Sequence, residues 1–106
     1  MIINKSATEA KWFKFGKTNS KVEFLIRPFR FSIMKLEDVS TGMMQQFTYC
    51  VVDWKGINDE KEKPLECNDE NKEFLYDYYD DVRGFVFEKQ EELKVVREKS
   101  LKNLKT

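Results

Sequence analysis

The side chains with the clearest capacity for chemistry are a group of carboxylates and a pair of thiols. Asp77, Asp80 and Asp81 lie close together, and neighbouring carboxylates are able to bind a metal ion or to exchange protons. Cys67 precedes a predicted helix start at Asn68, where the helix dipole favours a thiolate. The sequence contains no His, and Cys50 is its one other Cys. We therefore interpret the carboxylates as a solvated helix junction and predict no catalytic residue, metal or cofactor.

Composition favours a globular protein that works by binding. Charged residues make up 36% of the 106 residues and aromatic residues 14%, which predicts a solvated surface around an aromatic core. Positive and negative charges cancel, whereas a nucleic-acid-binding protein usually has a basic surplus. Residues 1–5 lack an apolar signal core, and no run approaches the ~20 apolar residues of a membrane span. We expect a cytoplasmic protein without a membrane partner.

The N-terminal part has the pattern of a β-hairpin. Residues 11–15 and 22–27 are the predicted strands, and the second places Val22, Phe24 and Ile26 on one face. Turn-forming residues separate them, and Pro28 ends the second strand because it cannot donate to a ladder. The hairpin is predicted over residues 10–28.

The remainder, residues 32–104, is predicted to be helical. A short helix is expected from about Ser32 to Asp38, and a longer one from a Thr41 cap to residue 54. Gly56 would supply the left-handed stop after it. The apolar stripe that indicates the longer helix consists of Met44, Phe47, Val51 and Trp54.

Two further helices are predicted after a charged turn that ends at Pro64. Asn68 is a favourable N-cap, and the acidic residues that follow it suit the start of a helix. The last helix is expected to begin at Asp80 or Asp81 and to run to about Leu104. The prediction is thus a single α+β domain over residues 1–106, a hairpin followed by three to four helices, the last long.

Three short segments resemble the tail assembly chaperones of long-tailed bacteriophages and prophages. They are residues 24–28 (Phe-Leu-Ile-Arg-Pro), 51–56 (Val-Val-Asp-Trp-Lys-Gly) and 64–72, which starts at Pro64. The sequence departs from the family pattern at the 58–63 turn, which lacks the Gly often seen there, and at Asn68, where Thr or Ser is common.

The resemblance implies a non-enzymatic protein that coats the helical tape-measure protein and keeps its apolar surface from aggregating. Possible contact with the tail-tube protein, self-association and location in the host cytoplasm are implied as well. Met-rich surfaces adapt to variable partners, although filling of the core is an alternative role for the same residues. The candidate partner contacts are Met43, Met44, Phe47, Tyr78, Phe85 and Val86, and the candidate structural residues are Trp54, Gly56, Pro64 and Asn68.

A second hypothesis belongs to a different functional class. Basic and aromatic residues alternate around residues 27–31, as they do on surfaces that bind single-stranded nucleic acid. The alternative is that the chain is a small regulatory protein or a protein that associates with single-stranded nucleic acid. Its contacts would be Trp12, Phe13, Arg27, Phe29 and Arg30.

Overall fold

The N-terminal half of the fold is a three-stranded antiparallel sheet together with a helix. The computed structural model describes residues 3, 5–16, 20–34 and 38–94. Its strands are β1 (Lys11–Lys14), β2 (Glu23–Ile26) and β3 (Val51–Lys55), in the order β1-β2-β3. The predicted hairpin is confirmed, because β1 and β2 pair antiparallel with Phe13 opposite Phe24.

The prediction of one helix over residues 41–54 is wrong, because its last part is the third strand. The helix ends at Cys50, and β3 follows at once and pairs with β2. A shift in register after the pair Leu25–Asp53 leaves Val52 as an extra, bulged residue. The bulge places Val51 and Trp54 on the same buried face. A spacing of three residues, which resembles a helical stripe, therefore arises here within a strand.

The helix before β3 is α1 (Val39–Cys50), and Asp38 rather than Thr41 caps it. The backbone N–H and the hydroxyl of Thr41 donate to the Asp38 carboxylate at 3.1 and 2.6 Å. Where a helix was predicted from Ser32, the chain forms a short 3-10 turn over Phe31–Ile33. The rest of that prediction, residues 35–37, lies outside the described residues.

Two more helices complete the fold, which confirms the α+β class. The first, α2 (Asp69–Tyr78), is capped by Asn68, whose side chain accepts from the backbone N–H of Asn71 at 2.9 Å. The second, α3 (Asp80–Glu92), ends at Glu92 instead of continuing to Leu104. Residues 95–106, on which the rest of that prediction falls, lie outside the described part of the chain.

The core lies between the sheet and the helices. Phe24 and Ile26 of the central strand are fully buried, whereas Leu25 between them is half-buried. Phe47 of α1 contributes the largest helical side chain and packs edge-on against Tyr76 of α2 at 5.5 Å. None of the helices in the described residues is both long and apolar enough to cross a membrane. The buried apolar residues are Phe24, Ile26, Phe47, Cys50, Val51, Trp54, Leu75, Val82 and Val86.

Candidate functional site

A groove of about 900 Å³ opens between the segment after β3 and the facing parts of α2 and α3. Its lining is mostly apolar and includes Phe24 from the sheet, Leu75 from α2 and Val82 from α3, all of them buried. A concave apolar surface of this size is typical of a binding site for another molecule.

The loop over residues 57–65 forms one wall of the groove, and long-range hydrogen bonds hold it in place. Asn58 and Pro64 form an isolated antiparallel bridge, and the Leu65 N–H donates to the Ile57 carbonyl at 2.8 Å. The indole N–H of Trp54 donates to the Leu65 carbonyl at 2.8 Å. The buried strand residue therefore anchors the loop, which gives Trp54 and Pro64 structural roles in the groove.

Gly56 allows the chain to enter this loop. Its φ is +80°, in the left-handed region, and a Cβ atom placed on it would lie 2.3 Å from the Lys21 carbonyl oxygen. The predicted positive φ is present, but Gly56 follows a strand and not a helix. A side chain at this position would push β3 away from the segment that leads into β2.

Exposed aromatic side chains lie at and beside the groove. Phe74 and Tyr79 line it, whereas Tyr78 lies outside the lining and contacts Phe74. Phe74 is 54% exposed, Tyr78 72% and Tyr79 49%. The rings of Phe74 and Tyr78 are 4.9 Å apart, and those of Phe74 and Tyr79 are 6.2 Å apart. We call these three residues the aromatic rim. Large exposed apolar groups beside a groove mark a surface that another molecule can cover.

The charged residues in the groove lining all have the same sign. Asp59 and Glu60 come from the loop and Asp81 from the first turn of α3, and none of the Lys or Arg residues that the structure describes lines the groove. The ion pairs within the described residues involve Asp80, Glu91 and Glu92. The groove is therefore apolar inside and acidic at its edge.

The six predicted partner contacts differ in burial and do not form one surface. Phe47 and Val86 are fully buried, so they have no surface to offer and belong to the core. Met43 and Met44 are half-buried on α1, away from the groove lining. The half-buried Phe85 packs edge-on against Phe15 at 5.1 Å. None of the six predicted contacts lines the groove, although Tyr78 and Phe85 each contact residues that do.

Sequence reasoning missed most residues of the groove, although one pattern pointed to it. In α2, Leu75 is buried, whereas the apolar rings of Phe74 and Tyr78 are exposed. Residues four apart share a helix face, so Phe74 and Tyr78 project together while Leu75 projects elsewhere. The number of aromatic residues on so short a helix exceeded what one buried stripe holds. The missed residues are Phe15, Ile57, Asp59, Glu60, Leu65, Phe74 and Tyr79.

Several of the carboxylates and thiols singled out in the sequence have partners within the chain or are shielded from solvent. Arg83 pairs with Asp80, and no metal-binding group of three or more Cys, Asp or Glu side chains occurs in the part of the chain that the structure describes. Burial raises the pKa of Cys50 to about 12 and that of Cys67 to about 11. Both thiols are therefore protonated at neutral pH and are weak nucleophiles.

Residues of the single-strand hypothesis make contacts within the chain. The Arg27 guanidinium lies 3.7 Å from the centre of the Tyr49 ring, and its Nε–H donates to the Tyr49 carbonyl at 2.6 Å. The ammonium of Lys55 covers the Trp12 ring at 4.1 Å. The backbone of Arg30 exchanges hydrogen bonds with the Gln46 amide at 3.3 and 2.5 Å. Of this set, Phe29 and Trp12 have exposed rings, at 42% and 38%.

Comparison of the chain with family models, with curated proteins and with solved structures gives no match.

Proposed function

We propose that this chain is a non-enzymatic binding protein that holds an apolar segment of a partner protein in its groove. The observation that carries the proposal is the aromatic rim, three large side chains about half or more exposed beside an apolar concave surface. A partner that covers them would remove apolar surface from water, which favours association.

The area involved is large enough to matter. A fully buried aromatic side chain removes ~150–250 Å² from water, so covering the exposed parts of the rim would bury roughly 300 Å². At about 25 cal/mol per Å² this area corresponds to roughly 7 kcal/mol before the cost of association is subtracted. Contacts inside the groove would add to that value.

The resemblance to tail assembly chaperones supplies a candidate partner. We propose the tape-measure protein of a long-tailed phage or prophage, with action in the host cytoplasm and with the tail-tube protein as a further contact. The segments that carry the resemblance include Trp54, Pro64 and Asn68, which position the loop and the start of α2. An amphipathic helix in a hydrophobic groove is a common mode of peptide recognition.

The test is co-expression of the chain with the longest helical protein encoded near its gene, which is the candidate tape-measure protein. The expected result is a larger soluble fraction of the partner and a complex that survives size exclusion. A partner that is equally insoluble with and without the chain, with no complex, would refute the proposal.

A further inference from the structure

We infer that the segment held in the groove carries Lys or Arg side chains next to its large apolar side chains. This inference rests on the proposed function and adds the chemical class of the ligand. It follows from the charges at the groove, where Asp59, Glu60 and Asp81 are exposed and the lining contains no cationic side chain from the described part of the chain.

The first part of the argument compares two adjacent carboxylates at the start of α3. Asp80 pairs with Arg83 one turn later, so its charge is balanced within the chain. Asp81 lines the groove and takes part in none of the ion pairs of the described residues. One of its oxygens accepts from the Val82 N–H at 2.9 Å. The other is available to a cation on a bound molecule.

The second part concerns the loop on the facing wall. One Asp59 oxygen accepts from the backbone N–H groups of Lys61 and Lys63, at 2.8 and 3.0 Å. These bonds fix the carboxylate in position, and the lysine ammonium groups do not line the groove. Glu60 follows directly and is exposed. The loop and α3 therefore each present negative charge to the same apolar surface.

Charge complementarity then selects the occupant. A segment with acidic flanks would bring like charges together, which lowers affinity and slows association. A segment with basic flanks would gain several exposed ion pairs, each of modest strength and sensitive to salt. We assign the groove to a basic amphipathic segment of the partner protein.

The experiment uses two synthetic amphipathic helical peptides with the same Leu positions, one with Lys and one with Glu at the flanking positions. Each is titrated into the full chain by calorimetry at about 50 mM and about 300 mM salt. The Lys peptide is expected to bind about tenfold more tightly at low salt, and the difference should shrink at high salt. Equal affinities, or tighter binding of the Glu peptide, would overturn the inference.

A triple variant tests whether the groove carboxylates cause the preference for the Lys peptide. It combines Asp59→Asn, Glu60→Gln and Asp81→Asn. It should reduce the preference for the Lys peptide about fivefold or more. Glu88→Gln, an exposed carboxylate of α3 outside the groove lining, is the matched control and should leave the preference within about twofold. A preference that survives in the triple variant, with its circular dichroism unchanged, would place the charge selection elsewhere and overturn the inference.

The remaining outcomes separate this inference from the proposed function. If the co-expressed partner stays soluble but neither peptide binds, the ligand class is wrong and the proposed function stands. If the Lys peptide binds with the expected preference but the partner is not solubilised, the ligand class stands and the chaperone proposal falls. If the chain alone dimerises and the triple variant does not, a second copy occupies the groove and the inference is overturned.

Discussion

Helices α1 and α2 both carry aromatic residues, but the two helices use them differently. In α1, Phe47 is fully buried and contacts rings from the other two helices. In α2, Phe74 and Tyr78 contact each other at 4.9 Å and remain more than half exposed. The same residue type thus contributes stability in one helix and a candidate binding surface in the other. Burial, which only the tertiary structure reveals, distinguishes the two roles.

The largest expected effect tests that comparison directly. Phe47→Ala should lower the free energy of unfolding by about 3–5 kcal/mol, because it leaves a cavity in the core. Phe74→Ala should change it by less than about 1 kcal/mol, because the ring is 54% exposed. Urea denaturation measures both. Similar losses of unfolding free energy in the two variants would show that the α1 and α2 rings do not differ in their contribution to stability.

A somewhat smaller effect is expected at the entrance of the groove loop. Gly56→Ala should lower the free energy of unfolding by about 2–4 kcal/mol, since it adds a contact with the Lys21 carbonyl to the strain of a positive φ. Gly16 is the matched control, because its φ is +87° and nothing lies within 4 Å of an added Cβ. Gly16→Ala should cost about 1 kcal/mol, the strain alone. If denaturation experiments show the same loss of unfolding free energy in both variants, the close approach of Gly56 to the Lys21 carbonyl does not constrain the loop.

The hydrogen bond that anchors the loop should contribute less to the free energy of unfolding than a buried core ring does. Trp54→Phe keeps an aromatic ring but removes the indole N–H that donates to the Leu65 carbonyl. We expect a loss of about 1–2 kcal/mol in the free energy of unfolding, with faster hydrogen exchange in residues 57–65. Unchanged exchange in that loop would mean that the indole bond does not hold the groove wall.

The smallest effect is a gain in stability at the tip of the same loop. Glu62 has a φ of +63°, in a region that Gly adopts without penalty. Glu62→Gly should therefore stabilise the chain by about 0.5–1 kcal/mol. Lys61→Gly, one residue earlier and without a positive φ, is the control and should give no gain. A loss of stability in Glu62→Gly would contradict the backbone conformation of this turn.

Local patterns in the sequence predicted the elements that depend on local interactions. The hairpin followed from alternation around Phe24, and the start of α2 followed from the capping residue Asn68. Strand β3 was missed because its bulge gives Val51 and Trp54 the three-residue spacing of a helix. Only pairing with β2, distant in sequence, distinguishes the two conformations. The extent of α1 was wrong for the same reason.

The groove was less predictable than the fold, because residues far apart in the sequence form it. Its loop wall depends on the hydrogen bond from Trp54 to Leu65, and its floor combines residues from the sheet and two helices. Sequence reasoning placed the partner surface on residues of all three helices, and two of these residues, Phe47 and Val86, are fully buried. Periodicity identifies an apolar face but not whether the folded chain already covers it.

The most direct test of the groove as the binding surface compares two exposed aromatic pairs. One variant replaces the lining residues Phe74 and Tyr79 by Ser. The other replaces by Ser the residues Phe29 and Phe31, which are 42% and 72% exposed and lie outside the groove lining. Each is co-expressed with the proposed partner, the tape-measure protein, and the soluble fraction of that partner is measured. The account predicts that the first variant loses most of the solubilising effect and that the second retains it. Loss in the second variant with retention in the first would contradict the account and place the partner at Phe29 and Phe31.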